Sequence, residues 1–225
     1  MRPPVKALAE ICARTLPACD PVYEFGALQV PEQGNYGDLR PYYPTRSFFG
    51  ADMRLGTGVD IVLDLHEIKL KDSTAGTVLL YDTLEHVEFP SRALDEVHRI
   101  LHPDGFVVVT TPFAFPIHSY PNDYWRFTPE GLRSLLHSFG TVHVDAVGDA
   151  LSPHLVFGVA FKQSGREVQL TALKAELAAW KAYWCDPMGP RVNRWAEWAK
   201  MRLHPFVPKQ LLALRRRVLN RSATP

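Results

Sequence analysis

The sequence predicts an α/β fold, a mostly parallel sheet with helices on both faces. Three observations predict it. Short apolar runs that stop at glycine or aspartate recur along the first half, amphipathic stretches of helical period follow several of them, and 46% of the 225 residues are apolar, enough for one substantial core. One domain with an extension is the arrangement expected of this length.

Val5 to Leu16 sets Val5, Leu8, Ala9, Ile11, Cys12 and Leu16 near one stripe, a short amphipathic helix that Pro17 and Pro21 close. Pro21-Val-Tyr-Glu-Phe-Gly26 is a brief apolar run stopped by glycine, a buried strand opening into a loop. Ser47 to Asp52 and Val59 to Asp64 repeat that pattern, each ending on an aspartate, and Thr77 to Tyr81 is a fourth strand. Pro90 to His102 is a helix with proline in its first turn and Ala93, Leu94, Val97, Ile100 and Leu101 on one face, ended by His102-Pro-Asp-Gly105. Phe106-Val-Val-Val-Thr-Thr111 is a fifth strand, being apolar and β-branched between a turn and Pro112. Thr128 caps a helix that begins at Pro129 and buries Leu132, Leu135, Leu136 and Phe139. Thr141 to Val147 and Leu155 to Phe161 are the last two strands, and Val168 to Trp184 is helical again. The linkers 33–46 and 53–58 are too short, or too rich in glycine and proline, for full crossover helices.

Composition excludes several classes of function. With 25 basic and 24 acidic side chains the net charge is +1, so no overall field gathers nucleic acid. Cys12, Cys19 and Cys185 have neither metal-ligand nor disulfide-framework spacing, so no metal and a reducing, cytoplasmic setting are expected. No run of about 18 apolar residues exists, and Met1-Arg-Pro-Pro leads into no signal-peptide core, so the expected protein neither spans a membrane nor is secreted.

In a parallel sheet ligands sit beyond the carboxyl ends of the strands, which draws attention to the acids placed there. Asp52 is a candidate acceptor for both hydroxyls of a ribose, and its alternative is a solvated loop aspartate. Asp64 is a candidate acceptor for the exocyclic amine of a purine, or else a helix cap or turn residue. Glu24, inside the first strand, either faces a cationic ligand or has a cationic partner, because a buried lone charge is costly.

The stretch Asp64-Leu-His-Glu-Ile-Lys-Leu-Lys-Asp-Ser-Thr-Ala-Gly-Thr-Val-Leu-Leu-Tyr-Asp-Thr-Leu-Glu-His86, followed by Ala93-Leu-Asp-Glu-Val-His-Arg-Ile-Leu-His-Pro-Asp-Gly105, resembles the class I S-adenosylmethionine-dependent methyltransferases of the type 11 group. The resemblance spans about residues 20–163. It implies a Rossmann-like sheet of seven strands, mostly parallel with an antiparallel last hairpin, as domain 1–163, followed by a helical, basic extension over 164–225. It also implies S-adenosylmethionine as cofactor, with S-adenosylhomocysteine as product. By position in the family's motifs, Glu24, Phe25 and Gly26 border the methionine moiety, Asp52 and Met53 the ribose, Asp64 and Leu65 the adenine, and Tyr81 and Asp82 the sulfonium. One departure stands out: the family's glycine-rich loop here reads Gly26-Ala-Leu-Gln-Val-Pro-Glu-Gln-Gly34, with only the first glycine in place.

After the fifth strand, Tyr120, Asp123, Tyr124, Trp125 and Arg126 lie in a loop that overhangs the crevice, where aromatic faces and charged partners suit a ring-shaped, hydroxylated acceptor such as a sugar. Packing of Tyr124 to Thr128 beneath the next helix is the alternative. The resemblance adds bacterial surface-polysaccharide assembly as the setting. His86 and His118 are the candidate general bases for methyl transfer to a hydroxyl, and each has packing or capping as its alternative. The tail Lys209 to Arg221 is amphipathic and cationic, suited either to peripheral contact with the inner face of a membrane or to packing on its own domain. The expected function is methyl transfer to a hydroxyl of a small polar acceptor, with a noncatalytic cofactor-binding or scaffold protein as the alternative. A nicotinamide dehydrogenase is excluded by the missing GxGxxG fingerprint.

Overall fold

The computed structural model describes residues 1–29, 35–118 and 122–185. The elements follow in the order α1 (Pro3–Thr15), β1 (Val22–Phe25), β2 (Phe48–Asp52), β3 (Ile61–Val62), β4 (Ala75–Tyr81), α2 (Pro90–Ile100), β5 (Leu101–Pro112), α3 (Pro129–Leu135), β6 (Thr141–Gly148), β7 (Pro153–Phe161) and α4 (Leu170–Trp184). The seven strands form one sheet in the order β3-β2-β1-β4-β5-β7-β6. The first five run parallel, and β7 enters antiparallel between β5 and β6. The expected Rossmann-like sheet with its antiparallel last hairpin is therefore present.

Alternation along the strands decides the two layers. In β4, Val78 and Leu80 face one core while Leu79 and Tyr81 face the other; in β5, Val107 and Val109 oppose Phe106 and Val108 in the same way. The first core takes Ala93, Leu94, Val97 and Ile100 of α2 with Leu132 and Leu136 at α3. The second takes Val5, Leu8 and Cys12 of α1 with Leu170, Leu173, Leu177 and Trp180 of α4. Pro90 and Pro129 each open a helix at the position where a missing N–H costs nothing, and the Thr128 hydroxyl accepts the Gly131 N–H at 3.0 Å. Burial of the Cys12 thiol in this second layer pushes its pKa up to about 12, which makes it a packing residue.

Three places depart from the sequence-based expectation. The third strand shortens to Ile61–Val62 because Asp60 turns its carboxylate to the Gly50 N–H and to Arg40, committing that end of the run to a side-chain clamp. The turn expected at His102 to Gly105 is a bulge within β5, where Leu101 pairs with Ala75 and pairing resumes at Phe106 and Thr77. The linker after β1 holds 3-10 turns at 35–37 and Arg40–Tyr42 and no α-helix among its described residues, and no helix joins β2 to β3, as the linker lengths anticipated. The first helix of the expected extension, α4, is part of the core beside α1. The basic tail lies outside the described residues.

Candidate active site

A crevice of about 510 Å³ opens at the carboxyl ends of β1, β2 and β4 and is walled by the segments that follow them. At its base Gly26 leaves β1 with φ +83°, and a Cβ there would lie 2.5 Å from the Thr83 Oγ1. Thr83 in turn donates to the Phe25 carbonyl at 3.0 Å, so the ends of β1 and β4 are tied together around the missing side chain. Only glycine fits this approach. The chain then passes Gly58, φ +90°, where a Cβ would meet the Ala27 carbonyl at 2.5 Å, and the Gln29 N–H donates to Thr57 O at 2.9 Å. The glycine-poor loop is thus held against the turn that replaces a crossover helix; residues 30–34 lie outside the described chain.

Four of the carboxylates that line the crevice are each held differently. Glu24 is buried on β1, and burial pushes its carboxyl up to about 8, with Arg40 opposing the rise and Asp38 adding to it. Asp52 ends β2 nearly buried, with Oδ1 accepting the Arg54 N–H at 2.9 Å. Asp64 accepts from the backbone N–H of His66 at 2.8 Å, which lowers its pKa, and the His66 Nδ1 approaches the same oxygen at 2.8 Å. Asp82 follows β4 at φ +49° and takes a bidentate Arg2 at 2.9 Å on both oxygens, with a third bond from the Thr110 hydroxyl. Burial alone would raise the Asp82 carboxyl, but Arg2 and Thr110 outweigh it and hold it below the ordinary range.

On the opposite wall His86 and His118 meet edge to face, ring centroids 4.7 Å apart. The His86 Nδ1 sits against the Asn122 carbonyl, and the His118 Nδ1 lies 3.0 Å from Asp123 Oδ2 and 3.3 Å from the Pro116 carbonyl. Those oxygens only accept, so each Nδ1 carries a proton, and Nε2 is the nitrogen that a neutral ring presents as an acceptor. Burial lowers the His86 pKa, which favours that neutral form. Glu85, fully buried behind the two rings, lies 3.8 Å from one Nε2 and 4.0 Å from the other. Burial first, and the Asp82 charge second, push its carboxyl well above the usual range.

Against known proteins, residues 51–109 match the family model of the type 11 methyltransferase domain. Over those residues, about a quarter of its length, the chain is similar to the class I methyltransferases of the type 11 group. Its fold is similar to a SAM-dependent methyltransferase from Archaeoglobus fulgidus, with 16% identity, TM-score 0.55, and coverage of 69% of this chain and 92% of that one. It is also similar to the 1,6-didemethyltoxoflavin-N1-methyltransferase of Burkholderia thailandensis, solved with 1,6-didemethyltoxoflavin and S-adenosylhomocysteine, at 16% identity, TM-score 0.54, and coverage of 72% and 80%. No curated protein matches the chain by sequence. S-adenosylmethionine is the methyl donor of the group, and the methyltransferase domain fits it. Gly26 lets the β1 loop pack directly on Thr83 at the floor of the crevice, and Glu24, Asp52 and Asp64 offer acceptors to a cationic ligand that also carries hydroxyls and an amine.

The methyltransferase domain brings together in one crevice Glu24, Phe25, Gly26, Asp52, Met53, Asp64, Leu65, Tyr81, Asp82, His86, His118 and Tyr124. Asp123, Trp125 and Arg126 stand outside its lining. Arg126 pairs with Asp123 through Nη2 and Oδ2 at 2.7 Å, and the Trp125 Nε1 donates to the Val87 carbonyl at 3.0 Å while its ring stacks on Phe127. Tyr120 lies outside the described residues. Sequence reasoning missed Arg2 and Glu85. Arg2 joins Asp82 across 80 positions, with no local signal. Glu85 carried a weak one, an acid beside His86; its burial follows from its carbonyl taking the N–H groups of Tyr124 and Trp125 at 2.8 and 3.2 Å.

Proposed function

We propose that the domain transfers a methyl group from S-adenosylmethionine to a hydroxyl of a small polar acceptor, a sugar or glycan of bacterial surface-polysaccharide assembly being the class it suits. The observation that carries this reading is one crevice lined on one side by Glu24, Asp52 and Asp64 and on the other by two histidines with acceptor nitrogens. When bound, S-adenosylmethionine supplies an electrophilic methyl on a sulfonium. Asp52 holds the ribose hydroxyls, Asp64 with the Leu65 backbone holds the adenine, and Glu24 with the Gly26 loop receives the methionine end. Met53 and Phe25 supply apolar contact, and Tyr81 and Asp82 border the reacting end.

On the acceptor side, Phe115 and Tyr124 offer ring faces to a saccharide. His86 or His118 takes the hydroxyl proton on Nε2 as the oxygen attacks. Asp123 and Arg126 serve this role at one remove: their ion pair fixes the loop that presents His118. Peripheral membrane contact through residues 209–221 is a further part of the reading, supported by charge and apolar pattern alone. It is checked by co-sedimentation with anionic vesicles at low salt.

The test is calorimetric titration with S-adenosylmethionine and S-adenosylhomocysteine, followed by mass spectrometry of hydroxylated acceptors incubated with the loaded protein. Saturable one-to-one binding with methyl gain on oxygen supports the proposal. Gain on nitrogen moves the acceptor class, and binding without turnover of any acceptor favours the noncatalytic alternative.

A further inference from the structure

Behind the histidine wall lies an arrangement that proton transfer does not use up. Glu85 has no exposed surface, and neither of its carboxylate oxygens has a hydrogen-bond partner. Leaving such a group unsatisfied is unfavourable, and the nearby cations do not relieve it: Arg2 is committed to Asp82 and Arg126 to Asp123. What Glu85 does face is the Nε2 of His86 and the Nε2 of His118, too far away for hydrogen bonds.

We propose that Glu85, His86 and His118 form a binding site for one borderline divalent transition ion, of the class of Zn²⁺, Co²⁺ or Ni²⁺, reached from the crevice. Donor atoms of the three residues lie within 4.8 Å of one another. Ligands bonded to such an ion at about 2.1 Å sit roughly 3.0–3.4 Å apart, so closing on it takes a movement of about half an ångström per side chain. Two neutral imidazoles and one carboxylate are a donor set that suits these ions and leaves coordination positions open.

The second observation concerns the far side of each ring. Histidines that bind metal almost always donate the other N–H to a carboxylate or a backbone carbonyl, which fixes the tautomer and aims the ligating nitrogen. His118 does so to Asp123 and His86 to Asn122, and both thereby aim Nε2 at the orphaned carboxylate. The two rings line the crevice, so the ion's open positions take water or an acceptor hydroxyl, and with the ion bound both Nε2 lone pairs are ligands, so the ion replaces the histidine base by acidifying that hydroxyl. That last consequence rests on the function proposed above; the site itself does not.

The test uses the full chain without an affinity tag, stripped with chelator and titrated with Co²⁺ by visible absorption and calorimetry. One equivalent per chain is expected, with a ligand-field band, and Glu85→Gln and His118→Gln should each weaken the affinity at least ~10-fold. Circular dichroism and thermal unfolding of the ion-free variants establish that they fold; should Glu85→Gln not, the half-exposed His118→Gln decides alone. No saturable uptake at ~1 mM Co²⁺, or uptake undiminished in the folded variants, overturns the site. S-adenosylhomocysteine is titrated into the unsubstituted chain as well: absence of metal uptake with cofactor binding intact refutes only the ion site, and metal uptake without cofactor binding refutes only the methyltransferase reading.

Discussion

Arg2 clasps Asp82 with both arms of its guanidinium, Nε to Oδ2 and Nη2 to Oδ1 at 2.9 Å each, while its Nη1 donates to the His154 carbonyl. The side chains are only 13% and 18% exposed, so solvent does little to screen the pair. Arg2→Ala leaves a buried carboxylate without its counter-charge, and a loss of roughly 2–4 kcal/mol is expected in urea unfolding with unchanged m-value. Arg2→Lys should recover less than half, because an ammonium does not reproduce the fork. A variant as stable as the parent would show that the pair contributes nothing.

Asp52→Ala should weaken S-adenosylhomocysteine binding by about 1–3 kcal/mol, the loss expected for charge-assisted bonds to a ribose. Its own structural task is small, a turn bond to the Arg54 N–H and a 3.6 Å ion pair with the exposed Arg54 guanidinium, so the melting temperature of the free protein should change little. Unchanged affinity would take Asp52 out of the cofactor site.

Gly26→Ala combines a left-handed φ of +83° with a Cβ placed 2.5 Å from Thr83 Oγ1. The backbone penalty alone is about 1–2 kcal/mol, and the clash pushes apart the ends of β1 and β4 that Thr83 joins. Cofactor binding should fall by more than stability does, as read from calorimetry beside thermal unfolding.

Glu24 gives two expectations of opposite experimental sign. Its folded carboxyl titrates near 8 against an ordinary 4.5, so between those values the unfolded chain has lost a proton that the folded chain keeps, and stability falls as pH rises through the window. Glu24→Gln should flatten that decline. At pH 7 the ligand-free protein holds the proton, and a cationic ligand favours the carboxylate; binding of S-adenosylmethionine should therefore release close to one proton. Calorimetry in buffers of different ionisation enthalpy measures the release, which Glu24→Gln should abolish.

Elements with a strong internal pattern could be read directly from the chain. The β-branched run of β5, the proline-led face of α2 and the Thr128 cap depend on neighbours within a few residues, and each is where the pattern placed it. The strand-end acids Asp52 and Asp64 were legible for the same reason, since a parallel strand's carboxyl end is a local feature. Arg2 and Glu85 were not, because what makes them matter is a contact 80 residues away in one case and burial beneath residues 122–125 in the other. The aromatic loop was legible as chemistry but not as orientation: Trp125 turns to the Val87 carbonyl and stacks on Phe127, while Tyr124 reaches the crevice.

α4 closes over α1: the Trp180 indole donates to the Pro4 carbonyl, and the Trp184 carbonyl meets the His154 ring, whose own carbonyl holds Arg2. Pro4 stands two positions after Arg2, whose guanidinium clamps Asp82 at the edge of the cofactor crevice. Linkage is reciprocal, so a ligand that steadies Asp82 also slows the opening of α4. The amide hydrogens of that distant helix should then exchange with solvent more slowly in the loaded protein, giving an occupancy signal remote from the crevice.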